Sequence, residues 1–231
     1  MLIYGKNTAK EAILAGRVVY ICYLDDKFKD RAIENLLDEY KIKIKRVSRE
    51  KLNELTKNGL HQGIILDVEN YKVYSLDDLI NNKPKEVILL DRIEDPHNFG
   101  AIIRTAEAAG LKDIIIRKKR QAKLSPLIAK IASGALEYVN IYEVNNLYQA
   151  VLKLKEKNYS IIGSSLDGES LNKMKGDFKK VLIIGNEGEG ISNILKRNAD
   201  VLIKIPMKGK SNSLNASVAA ALLIYKIKNL I

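Results

Sequence analysis

The sequence predicts an α/β protein whose larger, C-terminal part is a mostly parallel sheet covered by helices on both faces. Three observations carry this expectation. From residue 86 onward, apolar runs of strand length alternate with stretches of helical periodicity, the pattern of a parallel sheet with crossover helices. A smaller strand–helix–strand pattern fills the first 70 residues. Hydrophobic residues make up 46% of the 231, enough to bury a core at a length that suits one or two domains.

The N-terminal elements follow from local pattern. Val18 to Leu24 reads as a buried strand. It contains Cys22, the one cysteine of the chain, which can form no internal disulfide and suits a small buried hydrophobe in a reducing cytoplasm. Arg31 to Tyr40 reads as a helix, with Ile33, Leu36, Leu37 and Tyr40 at helical spacing. Ile42, Ile44 and Val47 mark a short strand, and Gly63 to Val68 another, directly after His61-Gln62. Residues 71–85 hold Tyr71, Tyr74, Asp77-Asp78, Asn81-Asn82 and Pro84 and read as a linker with at most one short helix. The expected division is 1–70, a linker over 71–85, and 86–231.

In the larger part, Glu86 to Leu90 is a strand. Phe99, Ile102, Ile103 and Ala106 form one apolar helical stripe, and Gly110 suits that helix's end. Ile114 to Ile116 is the next strand. Ser125-Pro126 reads as an N-cap followed by a first-turn proline. Val139 to Tyr142, Ser160 to Gly163, Val181 to Ile184 and Val201 to Ile205 complete the strands. In the closing helix, Leu214, Val218, Ala221, Leu222 and Tyr225 share a face.

Composition narrows the functional classes. Lys and Arg number 39 against 28 Asp and Glu, a formal charge of +11, which favours a polyanionic partner through release of condensed counterions. The apolar run from Ala216 to Tyr225 stops at Lys226, too short for a membrane span, and Met1 to Lys6 lacks a signal-peptide layout. His61 and His97 stand far apart and no Cys/His cluster has zinc spacing, so no metal is expected. A Ser/His/Asp hydrolase is excluded by the lack of a G-x-S-x-G elbow. A dinucleotide enzyme lacks its G-x-G-x-x-G fingerprint.

Three segments put polar residues and glycines where strands end, the place where open α/β sheets bind ligands. The first runs from Asp91 through Asp95-Pro96-His97-Asn98-Phe99-Gly100 to Arg104-Thr105-Ala106. Here Asn98 reads equally as a helix cap or a site residue, and Arg104, off the apolar stripe, reads by position as an exposed helix arginine. The second is Gly185-Asn186-Glu187-Gly188-Glu189-Gly190. Its glycines let a ligand approach the backbone, while its two carboxylates disfavour a phosphate; a plain turn with solvated glutamates is the other reading. The third runs from Ile203 through Ile205-Pro206-Met207, a polar loop with Ser211 and Asn212, and Ser213-Leu214-Asn215 into an alanine-rich helix, which either Ser213 or Asn215 can cap.

Taken together and in this order, these segments resemble the three motifs of the SpoU/TrmH family of RNA methyltransferases, over residue 86 to the end. Ile3-Tyr4-Gly5-Lys6-Asn7 and His61-Gln62-Gly63 resemble the family's N-terminal substrate-binding domain. The resemblance implies a C-terminal domain with a deep trefoil knot, a small L30e-like RNA-binding domain before it, and a cytoplasmic homodimer. It implies S-adenosylmethionine as methyl donor, held near Gly185, Ile205, Met207 and Leu214, and a catalytic site lined by Asn98, Arg104, Glu187, Ser213 and Asn215. The implied reaction is 2′-O-methylation of RNA, with a guanosine of 23S ribosomal RNA as expected target. A transfer RNA target and a non-catalytic RNA-binding protein are the alternatives.

Overall fold

The computed structural model describes residues 1–170, 178–210 and 213–231; Ser211 and Asn212 of the third segment lie outside them. The chain divides into two units, one of residues 1–71 with 124–138, the other of residues 72–123 with 139–231. No helix among the described residues is long and apolar enough to cross a membrane.

The first unit begins with β1 (Leu2–Tyr4), α1 (Lys6–Leu14), β2 (Val19–Asp25), α2 (Arg31–Glu39), β3 (Ile44–Val47), α3 (Arg49–Thr56) and β4 (Ile64–Val68). The strands form a mixed sheet in the order β1-β4-β2-β3, with β2 and β3 parallel and the other neighbours antiparallel. The expected strands around Cys22, Ile44 and Ile65 are all present. Helix α2 starts where Asp30 caps the amide of Ile33 and buries Ile33 and Leu37. Tyr40, expected on that stripe, is 44% exposed because the helix has ended before it. Cys22 is fully buried, and burial pushes its thiol up to about 12, so it packs as an inert small hydrophobe.

The second unit opens with β5 (Val73–Tyr74) and α4 (Leu76–Asn82), the latter lying where one short helix was allowed for within residues 71–85. A capping box between Ser75 and Asp78 starts α4, and Leu79 is fully buried. These two local features hold the short helix in a stretch of otherwise polar composition. There follow β6 (Glu86–Asp91), α5 (Pro96–Ala108) and β7 (Asp113–Arg117). The chain then supplies α6 (Pro126–Ile131) and a short 3₁₀ turn (Ala135–Glu137) to the first unit. It resumes the second with β8 (Asn140–Val144), α7 (Leu147–Glu156), β9 (Ser160–Ser170), β10 (Lys180–Gly185), α8 (Asn193–Asn198), β11 (Val201–Lys204) and α9 (Ala216–Ile227).

Among the described residues the second unit's sheet has seven strands in the order β11-β9-β10-β6-β7-β8-β5, each neighbouring pair parallel. Every residue of β10 is buried, as are all but the first of β6. Their unbroken apolar runs are those of central strands covered on both faces. Helix α5 buries Phe99, Ile102, Ile103 and Ala106 completely. It closes on Gly110 in the left-handed region, with Leu111 N–H reaching Ala106 O at 2.8 Å. Ser125 caps α6 as expected, accepting from Ile128 N–H. The closing helix differs from expectation. Val218 and Leu222 do share a face, but it points to solvent, at 48% and 37% exposure, while Ala216, Ala220, Leu223, Ile224 and Ile227 face the core. This helix is apolar nearly all round, so periodicity alone does not choose the buried side.

Residues 124–138 are held in the first unit by polar contacts that sequence distance conceals. Arg17 pairs with Glu137 at 2.8 Å, both side chains at least nine-tenths buried. Tyr71 O–H donates to the same Glu137 oxygen at 2.8 Å, and the Arg17 guanidinium lies 3.5 Å from the Tyr71 ring centre. Lys130 Nζ donates to Gln62 at 2.6 Å.

His61 serves the same unit. Its Nδ1 accepts from Gly63 N–H at 3.0 Å and its Nε2 faces Asn53 Oδ1 at 2.9 Å. This arrangement suits the neutral ring with its proton on Nε2. Burial, then the charge of Arg49, holds the imidazole below its usual range, with Asp25 opposing. Because the folded-state value lies below the unfolded one, the unfolded chain takes up the proton first as pH falls. Stability is therefore lost from about pH 6.5 downward. Urea denaturation at pH 7.5 and 5.5 measures this. His61→Gln is expected to be less stable at pH 7.5 but to lose less on acidification, and an unchanged loss would assign the pH dependence elsewhere.

Candidate functional site

The site starts from the sheet's topology. Strands β6, β7 and β8 succeed one another in one direction, whereas β9 and β10 lie on the other side of β6. The order therefore reverses between β6 and β10, the position where open parallel sheets leave a crevice beyond their carboxyl ends. In register, Gly185 at the end of β10 pairs with Asp91 at the end of β6. A cavity of about 410 Å³ opens at the end of β10, on its β9 and β11 side. Its walls come from the loop 185–190, from Ile205 and Met207 after β11, and from Ser213 and Leu214 before α9. Ile184, Ile191, Ile203 and Leu223 give it an apolar lining.

The glycine loop folds back on itself. Asn186 Oδ1 accepts from Gly188 N–H at 3.0 Å and Glu189 N–H at 2.8 Å, and Gly190 N–H returns to Asn186 O at 3.0 Å. A Cβ on Gly185 would stand 2.1 Å from Gly190 C and 2.2 Å from Ile191 N. Glycine is required at 185 by the loop's own backbone, a different reason from ligand approach. The end of β6 braces the loop. Asp91 Oδ2 accepts from Ser192 N–H at 2.7 Å, and Arg92 pairs with Glu189 and donates to Gly190 O at 3.3 Å. Asp91 and Arg92 open the first of the three sequence segments, after the apolar run Val87–Leu90, but no individual role was expected of them.

The three motifs meet through Glu187. Its Oε1 accepts from Asn98 Nδ2 at 2.9 Å, from Asn215 Nδ2, and from Ala216 N–H at 3.3 Å. Asn215 Nδ2 also reaches Asn98 Oδ1 at 2.9 Å. Asn98 is buried in the first turn of α5. It is not that helix's cap, a role taken by Asp95, which accepts from His97 N–H at 3.0 Å. Asn215 does two jobs. Its Oδ1 caps α9, accepting from Ser217 and Val218 N–H, and its amide donates to the network. The side chains thus tie the starts of α5 and α9 to the glycine loop.

Of the sequence-predicted residues, Gly185, Glu187, Ile205, Met207, Ser213 and Leu214 line the cavity. Asn98 and Asn215 join it through Glu187. Arg104 is not brought in. Six residues beyond Asn98, it lies about 240° round the helix from it. It is exposed, with no hydrogen-bond or ion-pair partner among the described residues. Ser164, Ser165 and Lys196 also line the cavity and had no distinguishing sequence signal.

Comparison with known proteins matches residues 85–225 to the SpoU rRNA Methylase family and residues 2–74 to the RNA 2′-O ribose methyltransferase substrate binding family. A protein of Staphylococcus haemolyticus (strain JCSC1435), named for the TrmH family of tRNA/rRNA methyltransferases, is 36% identical over 98% of this chain and 94% of its own length. In fold, the chain resembles the SpoU methyltransferase AviRb of Streptomyces viridochromogenes, solved with AdoMet, at a TM-score of 0.84 and 24% identity. That match covers 100% of this chain and 89% of AviRb. An AdoMet-bound rRNA methyltransferase of Sinorhizobium meliloti matches at 0.84 and 21%, covering 100% and 87%.

Two substitutions in the glycine loop separate closure from mere flexibility. Gly185→Ala is expected to cost about 1–3 kcal/mol through overpacking, roughly 2–12 °C in Tm at this chain length. Gly188→Ala, whose Cβ would meet nothing nearer than Asn186 Oδ1 at 3.9 Å, should leave Tm within about 2 °C, consistent with a surface change. Calorimetry of both variants checks this; equal effects would mean that backbone crowding at Gly185 does not set the loop.

Proposed function

The chain belongs to the SpoU rRNA methylase family, and from that premise we propose that it moves a methyl group from S-adenosylmethionine to a ribose 2′-hydroxyl of RNA. We take a guanosine of 23S ribosomal RNA, in the cytoplasm, as its target. The observation that carries this reading is the cavity walled by the second and third motif segments, with the first tied to it where Asn98 meets Glu187 and Asn215. In the same reading the C-terminal segment is threaded as the knot that the resemblance implies. The first unit, matched over residues 2–74 by a substrate-binding family, presents the RNA.

The cavity suits the donor. Its volume of about 410 Å³ falls in the range of small-molecule sites. Main-chain groups of Gly185, Ile205, Met207 and Leu214 would hold the polar parts, and the apolar lining the adenine. When bound, S-adenosylmethionine supplies a methyl group activated by a sulfonium leaving group.

The chain's own residues must align the hydroxyl and assist loss of its proton. Glu187 Oε1 already accepts three donors, so we assign Glu187 a positioning role, fixing Asn98 and Asn215. Arg104 stays protonated at ordinary pH and is a poor base. Its guanidinium, exposed and without a partner among the described residues, suits a bidentate clamp on an RNA phosphate that favours the developing alkoxide, with that phosphate or a water taking the proton. Ser213 adds a hydroxyl at the cavity wall.

The decisive measurement incubates the protein with labelled donor and RNA from cells lacking it, then maps 2′-O-methyl positions. One labelled ribose in 23S RNA is expected. Label confined to transfer RNA would replace the target, and tight RNA binding without label would leave a binding protein. Arg104→Lys should lose tenfold or more in transfer while donor affinity holds; near-normal turnover would remove the clamp.

A homodimer is part of the proposal. Its support is the solvent face of α9, where Val218 and Leu222 are exposed and Tyr225 half-buried, with Leu230 and Ile231 exposed just beyond. A soluble protein seldom leaves such a stripe bare. Sedimentation should find a dimer that Leu222→Glu converts to monomer, and a monomeric wild type at micromolar concentration would contradict it.

A further inference from the structure

We propose that the loop from Arg117 to Lys123 is a phosphate grip that positions RNA for the reaction centre; the inference rests on the RNA-methylation reading above. Five of its seven residues are cationic, namely Arg117, Lys118, Lys119, Arg120 and Lys123. Lys118, Lys119, Arg120 and Lys123 are exposed and have no ion-pair partner among the described residues. Four unpaired like charges in one short loop repel one another and are relieved by a polyanion.

The loop stands on the correct side of the sheet. It leaves the carboxyl end of β7, which is parallel to β6 as β6 is to β10. The basic loop and the glycine loop therefore emerge from the same edge, two strand spacings or roughly 10 Å apart. It is also fastened to the site. Gln121 is buried and its Oε1 accepts from Ile93 N–H at 3.1 Å, while Ala122 N–H donates to Ile93 O at 3.0 Å. Ile93 lies in the turn between β6, whose end braces the glycine loop, and α5, which carries Asn98. On its far side, Lys118 N–H reaches Val144 O at 2.9 Å. Glu94 and Asp95 are exposed in the same turn, leaving four cations against two carboxylates.

A fastened loop holds its charges in place before RNA arrives, so little ordering is lost on binding. Backbone phosphates carry no base identity. The loop therefore sets the register of the strand over the cavity and leaves choice of nucleotide to other contacts.

The test is the variant Lys118→Ala/Lys119→Ala/Arg120→Ala, with Lys153→Ala/Lys157→Ala, on α7 and at its C-terminal cap, as a charge control. Binding of a fluorescent 20-nucleotide single-stranded RNA is followed against salt. Loss of three phosphate contacts should make the log–log slope shallower by about 2, with the control within error of wild type. With RNA from cells lacking the protein, KM for RNA should rise tenfold or more and kcat stay within twofold, while calorimetric affinity for S-adenosylmethionine, which reports a folded second unit, is unchanged. An unchanged slope and KM, or an equal loss per charge in the control, overturns the grip while leaving the methylation reading intact. A wild-type protein that neither binds RNA nor transfers label overturns both.

Discussion

The parallel pairing of β10 with β6 is the constraint on which the site depends. It brings Gly185 beside Asp91 although 94 positions separate them in sequence, and it does so where the strand order reverses. The loops that leave these two strand ends, one to α5 and one to α8, therefore start side by side. The remaining pieces follow from bracing the glycine loop against the end of β6. Asp91 takes the amide of Ser192, Arg92 takes the carbonyl of Gly190, and the loop between them has no room for any side chain at position 185.

The polar network at the cavity's edge follows from the cost of burying Asn98. A buried amide left without partners loses about 1–3 kcal/mol, so its nitrogen and oxygen are both satisfied, by Glu187 and Asn215. A hydrogen bond to a charged acceptor is worth about 1.5–3 kcal/mol against about 1 for a neutral one, which favours a carboxylate as the hub. The hub is placed by a loop that cannot shift without moving β6, and its partners by the first turns of two helices. Rigidity at the site thus comes from backbone positions as much as from the side chains themselves.

The second unit's layout was legible because its central strands are buried on both faces and need unbroken apolar runs, as in Val87 to Leu90 and Val181 to Ile184. The stripe of α5 and the caps at Asn215 and Ser125 were legible for similar local reasons. What escaped is what depends on distant partners. β5 is two residues long and exists because β8 lies beside it. Helix α7 buries Leu147, Ala150, Val151 and Leu154 at regular helical spacing and was available to a closer reading. The buried side of α9 was not, since alanine, leucine and valine ring that helix and only the neighbours determine which face is covered. Arg104, off the apolar stripe, is exposed as its position suggested, whereas no local pattern chose between cap and network for Asn98.

The return of residues 124–138 to the first unit bears on how the chain can be divided. Sequence order offers a cut near residue 71, but that cut separates Arg17 and Tyr71 from Glu137, whose carboxylate is shielded by both. Removing one partner of a buried ion pair costs about 3–5 kcal/mol because the other is left charged and dry. Ile128 and Ala129, fully buried, would lose cover at the same time. The first unit is therefore not an appendage that can be trimmed at a boundary in sequence. Whatever it contributes to RNA binding, it is built in part from a segment that leaves the second unit after the basic loop and returns to it at β8.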